Sequence, residues 1–192
     1  PPPPPRPPPP PPARTRHDII GQAKTGTGKT LGFGIPVLED VIAPDEEGYE
    51  DLLNPNKPQA LIILPTRELT KQVAQDLREA AKYLSTRIVE IYGGVAFEPQ
   101  IEALQRGADI VVGTPGRLID LLRKGHLHLS GVETVVLDEA DEMLDLGFLP
   151  DVETLLGRVP ENRHTMLFSA TMPGPVVALA RRFMVQPTHI RA

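Results

Sequence analysis

Gly21-Gln22-Ala23-Lys24-Thr25-Gly26-Thr27-Gly28-Lys29-Thr30 follows the short apolar run Asp18-Ile19-Ile20 and leads into Leu31 and a helix-like segment. The stretch reads as the end of a strand, a phosphate-binding loop and the start of a helix. Glycines let the backbone turn with its N–H groups inward, the helix presents its positive end, Lys29 reaches the outer phosphates, and the Thr30 hydroxyl completes a magnesium shell. The strict pattern, G-x-x-x-x-G-K-[ST], has a glycine where this chain has Ala23. The competing reading is a Gly- and Thr-rich surface turn, which needs the strand, the helix and Gly28-Lys29-Thr30 to coincide by chance.

Working outward from this loop, short apolar runs alternate with helical patterns. After Asp18-Ile19-Ile20 the runs are Ala60 to Leu64, Arg87 to Ile91, Asp109 to Val112, Thr134 to Leu137, Thr165 to Phe168 and Thr188 to Ile190. They are near-continuously apolar, as strands covered on both faces are. The clearest helix runs from Glu68 to Leu84, with Leu69, Val73, Leu77, Ala80 and Leu84 expected on one face. Strand, helix, strand repeated in this way predicts an α/β fold, a doubly wound, mostly parallel sheet with helices on both faces and right-handed crossovers. Ala43 to Pro58, with Asp45-Glu46-Glu47 and no periodicity, is expected to be an acidic surface loop.

In such a sheet every loop that follows a strand emerges at the same carboxyl edge, where ligands of open α/β folds bind. Those loops are the phosphate loop, Pro65-Thr66-Arg67-Glu68-Leu69, Gly93-Gly94, Thr114-Pro115-Gly116-Arg117, Asp138-Glu139-Ala140-Asp141 and Ser169-Ala170-Thr171. Val135-Val136-Leu137 ends in two carboxylates: Asp138 is suited to hold Mg²⁺ through its water shell, and Glu139 to orient and deprotonate an attacking water. An acidic helix start stabilised by the helix dipole would also account for Asp138 to Glu142. Thr66, Thr114 and Thr171 read as helix N-caps, with Pro115 at the favoured first helical position. Beside Arg67 or Arg117, a capped helix start is also an anion site suited to a phosphodiester backbone. Gly93-Gly94 permits close backbone approach or forms a plain turn.

Composition narrows the classes. At 192 residues one domain is expected, over residues 17–192, behind a proline-rich tail at residues 1–16. The first twelve residues are eleven prolines and Arg6, which polyproline II or disorder can accommodate and a helix or sheet cannot. That tail is read as a linker or low-complexity segment, with docking into an SH3-like groove as the alternative. There is no cysteine, which fits a reducing cytoplasm and leaves no thiolate for zinc or an iron–sulfur cluster. His126 and His128 read as solvated turn residues. No run is long and apolar enough to cross a membrane, and a soluble, cytoplasmic monomer is expected. Net charge is −5, from 20 Lys+Arg and 25 Asp+Glu, so any nucleic-acid contact must be local. With no tryptophan, three tyrosines and five phenylalanines, contacts to backbone phosphates are favoured over base stacking.

Taken together, Ala23-Lys24-Thr25-Gly26-Thr27-Gly28-Lys29-Thr30, Pro65-Thr66-Arg67-Glu68-Leu69, Gly93-Gly94, Thr114-Pro115-Gly116-Arg117, Asp138-Glu139-Ala140-Asp141 and Ser169-Ala170-Thr171 closely resemble, in order and spacing, the first RecA-like domain of the DEAD-box RNA helicases. The resemblance covers Asp18 to Ala192, and the alanine at position 23 is itself usual in the family. It implies ATP and Mg²⁺ as ligands and hydrolysis coupled to local unwinding of an RNA duplex. It implies RNA-backbone contacts from Pro65, Thr66, Arg67, Gly93, Gly94, Thr114, Pro115, Gly116 and Arg117, and coupling through Asp141, Ser169 and Thr171. A second RecA-like domain, supplying arginine fingers and the other half of the RNA cleft, is expected after Ala192, so the chain is expected to be a fragment with little activity alone. The family's adenine-recognition element, a phenylalanine followed by a glutamine in a Pro-Thr-x-x-Gln setting, is expected before the first strand; residues 1–16 contain neither. Two other readings share these motifs: an NTPase indifferent to nucleic acid, and a non-catalytic module that recruits a partner through its proline tail.

Overall fold

The computed structural model describes residues 2, 17–22 and 29–191, with Lys29 described by its backbone alone. The proline tract and residues 23–28 of the phosphate loop therefore lie outside the described residues. Along the chain come β1 (Ile19–Gln22), α1 (Lys29–Asp40), β2 (Ala60–Ile63), α2 (Arg67–Ala80), β3 (Ile88–Ile91), α3 (Glu98–Arg106) and β4 (Ile110–Gly113). These are followed by α4 (Pro115–Arg123), β5 (Thr134–Leu137), α5 (Ala140–Asp145), α6 (Leu149–Leu156), β6 (His164–Ser169), α7 (Gly174–Phe183) and β7 (Thr188–Arg191). Among the described residues the seven strands form one sheet in the order β3-β4-β2-β5-β6-β1-β7, and every pairing is parallel. All seven expected strands are present, within a residue or two of the apolar runs that announced them.

The reason the runs are continuous is visible in the core. Successive side chains of a strand point to opposite faces, and here both faces are covered. Leu61, Ile63, Val111, Val135, Leu137 and Leu167 pack with Leu118 of α4, Val152 and Leu155 of α6 and Val176 of α7. Ala60, Ile62, Ile110, Val112, Val136 and Met166 face the other way, against Phe33 and Val37 of α1 and Val73, Ala74 and Leu77 of α2. No helix among the described residues is long and apolar enough to cross a membrane.

Helix α2 departs from its expected phase. Thr66 caps it as expected, its Oγ1 accepting the Leu69 N–H at 3.2 Å. The buried face is Thr70, Val73, Ala74 and Leu77, continued by Ala81; Leu69 is half-buried, and Ala80 and Leu84 are exposed. The correction has a physical cause. Thr70 can be buried because its hydroxyl donates to the Thr66 carbonyl at 2.9 Å, which puts a polar residue on a face that hydrophobicity alone would not select. The helix then ends at Ala80, before Leu84 can join it. The acidic stretch after α1 is a surface loop with one 3₁₀ turn at Tyr49–Asp51.

Candidate nucleotide and nucleic-acid site

Because all strands run in one direction, β1, β6 and β5 lie side by side and deliver their loops to one half of the carboxyl edge. With strands about 4.8 Å apart, the start of the phosphate loop after β1 and the carboxylates after β5 are separated by roughly 10 Å, a gap that a triphosphate with its metal can span. Gln22 Nε2 donates to the Ala170 carbonyl at 3.5 Å and ties the end of β1 to the loop after β6. Thr30 lies in the first turn of α1. Residues 23–28 and the Lys29 side chain lie outside what the structure describes.

Asp138 is 6% exposed; its N–H donates to the Ile63 carbonyl at 3.0 Å, and its Oδ1 accepts the Glu139 N–H at 2.9 Å. Glu139 holds φ 55° and ψ 52°. A left-handed conformation at a residue with a Cβ costs on the order of 1–3 kcal/mol and is retained where the surroundings impose it, typically at functional sites. The strain falls on the residue expected to act on water, where the buried strand turns into α5.

Behind these acids, Asp141, Ser169 and Thr171 form one hydrogen-bonded unit that joins the loops after β5 and β6. Asp141 Oδ2 accepts from the Thr171 N–H at 3.0 Å and from Thr171 Oγ1 at 2.9 Å. The Asp141 N–H donates to Ser169 Oγ at 3.1 Å, and that hydroxyl donates to the Thr171 carbonyl at 2.6 Å. Burial works against the charge on Asp141, but the hydrogen bonds from Thr171 and Ser169 outweigh it and hold the carboxyl below its ordinary range. Thr171 is therefore not a helix cap. Helix α7 begins at Gly174 with Pro173 in the cap position, because the Thr171 hydroxyl is already committed to Asp141.

The other half of the edge belongs to β2, β4 and β3. Arg67, at the start of α2, has its guanidinium 5.1 Å from the centre of the Tyr92 ring. A Cβ on Gly94, which has φ 80°, would sit 3.7 Å from Arg67 Nη1, so the loop after β3 and the start of α2 face each other across the end of β4. Thr114 occupies the N-cap position of α4 without a side-chain cap bond, Pro115 is at the first helical position, and Gly116 is exposed. Pro65 is buried and Gly93 exposed.

Arg117 is only 8% exposed, which narrows the expectation of a free cation. Its Nη1 donates to Gln100 Oε1 at 3.2 Å, its Nη2 donates to the Val95 carbonyl at 2.9 Å, and its guanidinium lies 3.9 Å from the centre of the Phe97 ring. Gln100 in turn donates to the Tyr92 carbonyl at 2.9 Å. Arg117 and Gln100 thus hold both ends of the Gly93-Gly94 loop. Sequence reasoning missed Gln100, Phe97 and Gly113. A Cβ on Gly113 would lie 2.7 Å from the Ile91 carbonyl oxygen and 2.9 Å from Leu118, and that same carbonyl accepts the Thr114 N–H at 2.9 Å. Its mark in the sequence was a glycine ending an otherwise β-branched strand, a sign of close backbone approach.

Comparison with known proteins agrees with this fold. A family model described as DEAD/DEAH box helicase matches residues 11–179. The chain is 48% identical over 174 residues to the DEAD-box ATP-dependent RNA helicase CshA of Streptococcus pneumoniae serotype 4, covering 91% of this chain and 31% of that protein. The Bacillus subtilis protein of the same name is 46% identical over 176 residues, covering 91% and 33%. Among solved structures, a DEAD box protein from Methanococcus jannaschii matches with a TM-score of 0.79 at 41% identity, covering 92% of this chain and 46% of that one. The yeast DEAD-box splicing factor Prp28 matches with a TM-score of 0.82 at 37% identity, covering 91% and 41%. The chain spans about a third of the length of the curated relatives it matches.

Proposed function

The chain belongs to the DEAD/DEAH box helicase family, and from that premise we propose that it is the N-terminal, ATP-binding half of an ATP-dependent RNA helicase that separates short RNA duplexes. ATP is proposed to bind where β1, β6 and β5 end, with Ala23 to Gly28 cradling its phosphates and Lys29 facing the β and γ groups. Thr30 and Asp138 would hold Mg²⁺; a buried carboxylate at a strand end and a hydroxyl in the first turn of a helix suit an ion that keeps most of its waters. When bound, that ion neutralises phosphate charge. Glu139 accepts the proton of the water that attacks the γ-phosphorus, and ADP leaves with the bond to that phosphorus broken.

RNA is proposed to lie along β2, β4 and β3, its backbone contacted by Thr66, Arg67, Gly94 and Thr114, with Arg117 holding the Gly93-Gly94 loop in place. The observation that carries the coupling is the Asp141–Ser169–Thr171 unit, which bonds the loop bearing Asp138 and Glu139 to the loop after β6. A second RecA-like domain of the same polypeptide is proposed to supply an arginine to the γ-phosphate and the other wall of the RNA cleft. A cytoplasmic setting and a monomeric state are proposed with it; the cysteine-free composition is in keeping with the first. Since residues 1–16 hold neither the phenylalanine nor the glutamine of an adenine reader, ATP and GTP should bind this chain about equally. Separate titrations with Mg–ATP and with a short RNA test the division: Lys29→Ala should lose ATP and keep RNA, and Arg67→Ala should do the reverse. Parent-like ATP binding by Lys29→Ala, or parent-like RNA binding by Arg67→Ala, would refute it.

A further inference from the structure

Tyr92 and Lys71 belong to none of the motifs, yet they stand beside Arg67. The half-buried Tyr92 ring carries two cations from α2: Arg67, its guanidinium 5.1 Å from the ring centre, and Lys71, its ammonium 5.7 Å from it. The two are four residues apart, one above the other on the same helix face and separated by about 6 Å along the axis. Like charges in that relation repel. Neither makes an ion pair with a carboxylate among the described residues, whereas Arg78, farther along the same helix, is neutralised by Glu90 at 2.7 Å. The face of the aromatic ring offsets part of the repulsion, and an anion between the two cations would remove the rest. Lys71, Gln75, Arg78, Glu79, Glu90 and Tyr92 line a groove of about 510 Å³, with Lys71 where it meets the carboxyl edge and the Arg78–Glu90 ion pair farther along. The Tyr92 backbone is itself held, since its carbonyl accepts from Gln100.

We propose that Lys71 is a further RNA-phosphate contact beyond the motif residues, and that Tyr92 is a positioning residue that holds Arg67 and Lys71 as a pair toward the strand. The inference rests on the RNA reading of this edge. The track ends at Lys71, because farther along, Arg78 and Lys82 are already paired with Glu90 and Glu79. The ring pins cations and stacks no base, so the contact carries no sequence preference.

Binding of a single-stranded oligouridylate by the chain, measured from 50 mM to 1 M monovalent salt, tests this. One lost phosphate contact changes the slope of log K against log salt by about 0.7 for a single strand, which makes Lys71→Gln about eightfold weaker at 50 mM and equal to the parent near 1 M. Tyr92→Leu should weaken binding although it removes no charge, and Tyr92→Phe should restore it. In the parent, the oligonucleotide should shield Lys71 from an amine-reactive reagent, a readout independent of any variant's folding. Lys71→Gln with parent affinity and slope, or Lys71 equally reactive with and without bound RNA, would overturn the proposal and leave the motif contacts standing. Failure of the parent itself to bind at 50 mM would overturn the RNA reading of the whole edge.

Discussion

Replacing Arg117 with alanine separates an arginine that props the Gly93-Gly94 loop from one that merely reaches for phosphate. At 8% exposure the side chain gives up two hydrogen bonds, to Gln100 at 3.2 Å and to Val95 at 2.9 Å, together with its stacking on Phe97. Hydrogen bonds from a charged donor contribute about 1.5 kcal/mol each at the lower end. Cation–ring stacking adds roughly 0.5–1 kcal/mol. The expected loss is about 3.5 kcal/mol, which lowers the melting temperature of a domain this size by roughly 7–14 °C. RNA affinity should fall with it, equally for all sequences, because the Gly93-Gly94 loop loses its bond at Val95, and Gln100, which holds the Tyr92 end, loses its partner. Arg117→Lys should recover only part of the stability, since an ammonium lacks the planar fork that reaches Gln100 and Val95 together. Thermal unfolding by circular dichroism, paired with titration of several oligonucleotides, reads both effects. Lost RNA affinity in Arg117→Ala with a melting temperature within about 2 °C of the parent would refute the reasoning, since it would make Arg117 a plain phosphate contact.

At the proposed ATP site, Glu139→Gln should keep nucleotide binding and lose turnover while Lys29→Ala weakens binding itself, as read by single-turnover hydrolysis and nucleotide titration with a second RecA-like domain supplied. Gly113→Ala places a methyl 2.7 Å from the Ile91 carbonyl and 2.9 Å from Leu118; a lower urea midpoint, by about 1–3 kcal/mol of stability, is expected. Asp141 has its carboxyl held below the ordinary 3.8 in the folded chain, so its contribution is present above that value and fades as pH falls through 3.8 toward the folded-state value. Asp141→Asn should therefore show a shallower loss of stability on acidification from pH 5 to pH 3, measured by urea melts.

What the sequence made legible, and what it hid, divides along contact range. Strands such as Leu61-Ile62-Ile63 announced themselves because burial on both faces leaves no polar position to interrupt them. The carboxyl-edge loops followed from the parallel topology alone. The phase of α2 was misread because Thr70, buried through a local bond to the Thr66 carbonyl, looks polar in a hydrophobicity pattern. Thr171 looked like a cap, since nothing local reveals that its hydroxyl bonds Asp141, thirty residues earlier. The burial of Arg117 depends on β3 and β4 being neighbours, which brings Val95, Phe97 and Gln100 to it. That adjacency is a property of strand order, and no pattern around Arg117 encodes it.

In the proposed arrangement one sheet edge carries an ATP half and an RNA half joined through Asp141, Ser169 and Thr171. The measurement that reaches it most directly is RNA-stimulated ATP hydrolysis by the chain alone, by the chain joined to a second RecA-like domain, and by that joined protein carrying Asp141→Ala. An arginine brought to the γ-phosphate is worth about 10³- to 10⁵-fold in related sites. The expected result is slow, unstimulated turnover by the chain alone, strong stimulation by RNA in the joined protein, and loss of that stimulation in Asp141→Ala with ATP and RNA binding both retained. Robust RNA-stimulated hydrolysis by the chain alone, or undiminished stimulation in Asp141→Ala, would contradict it.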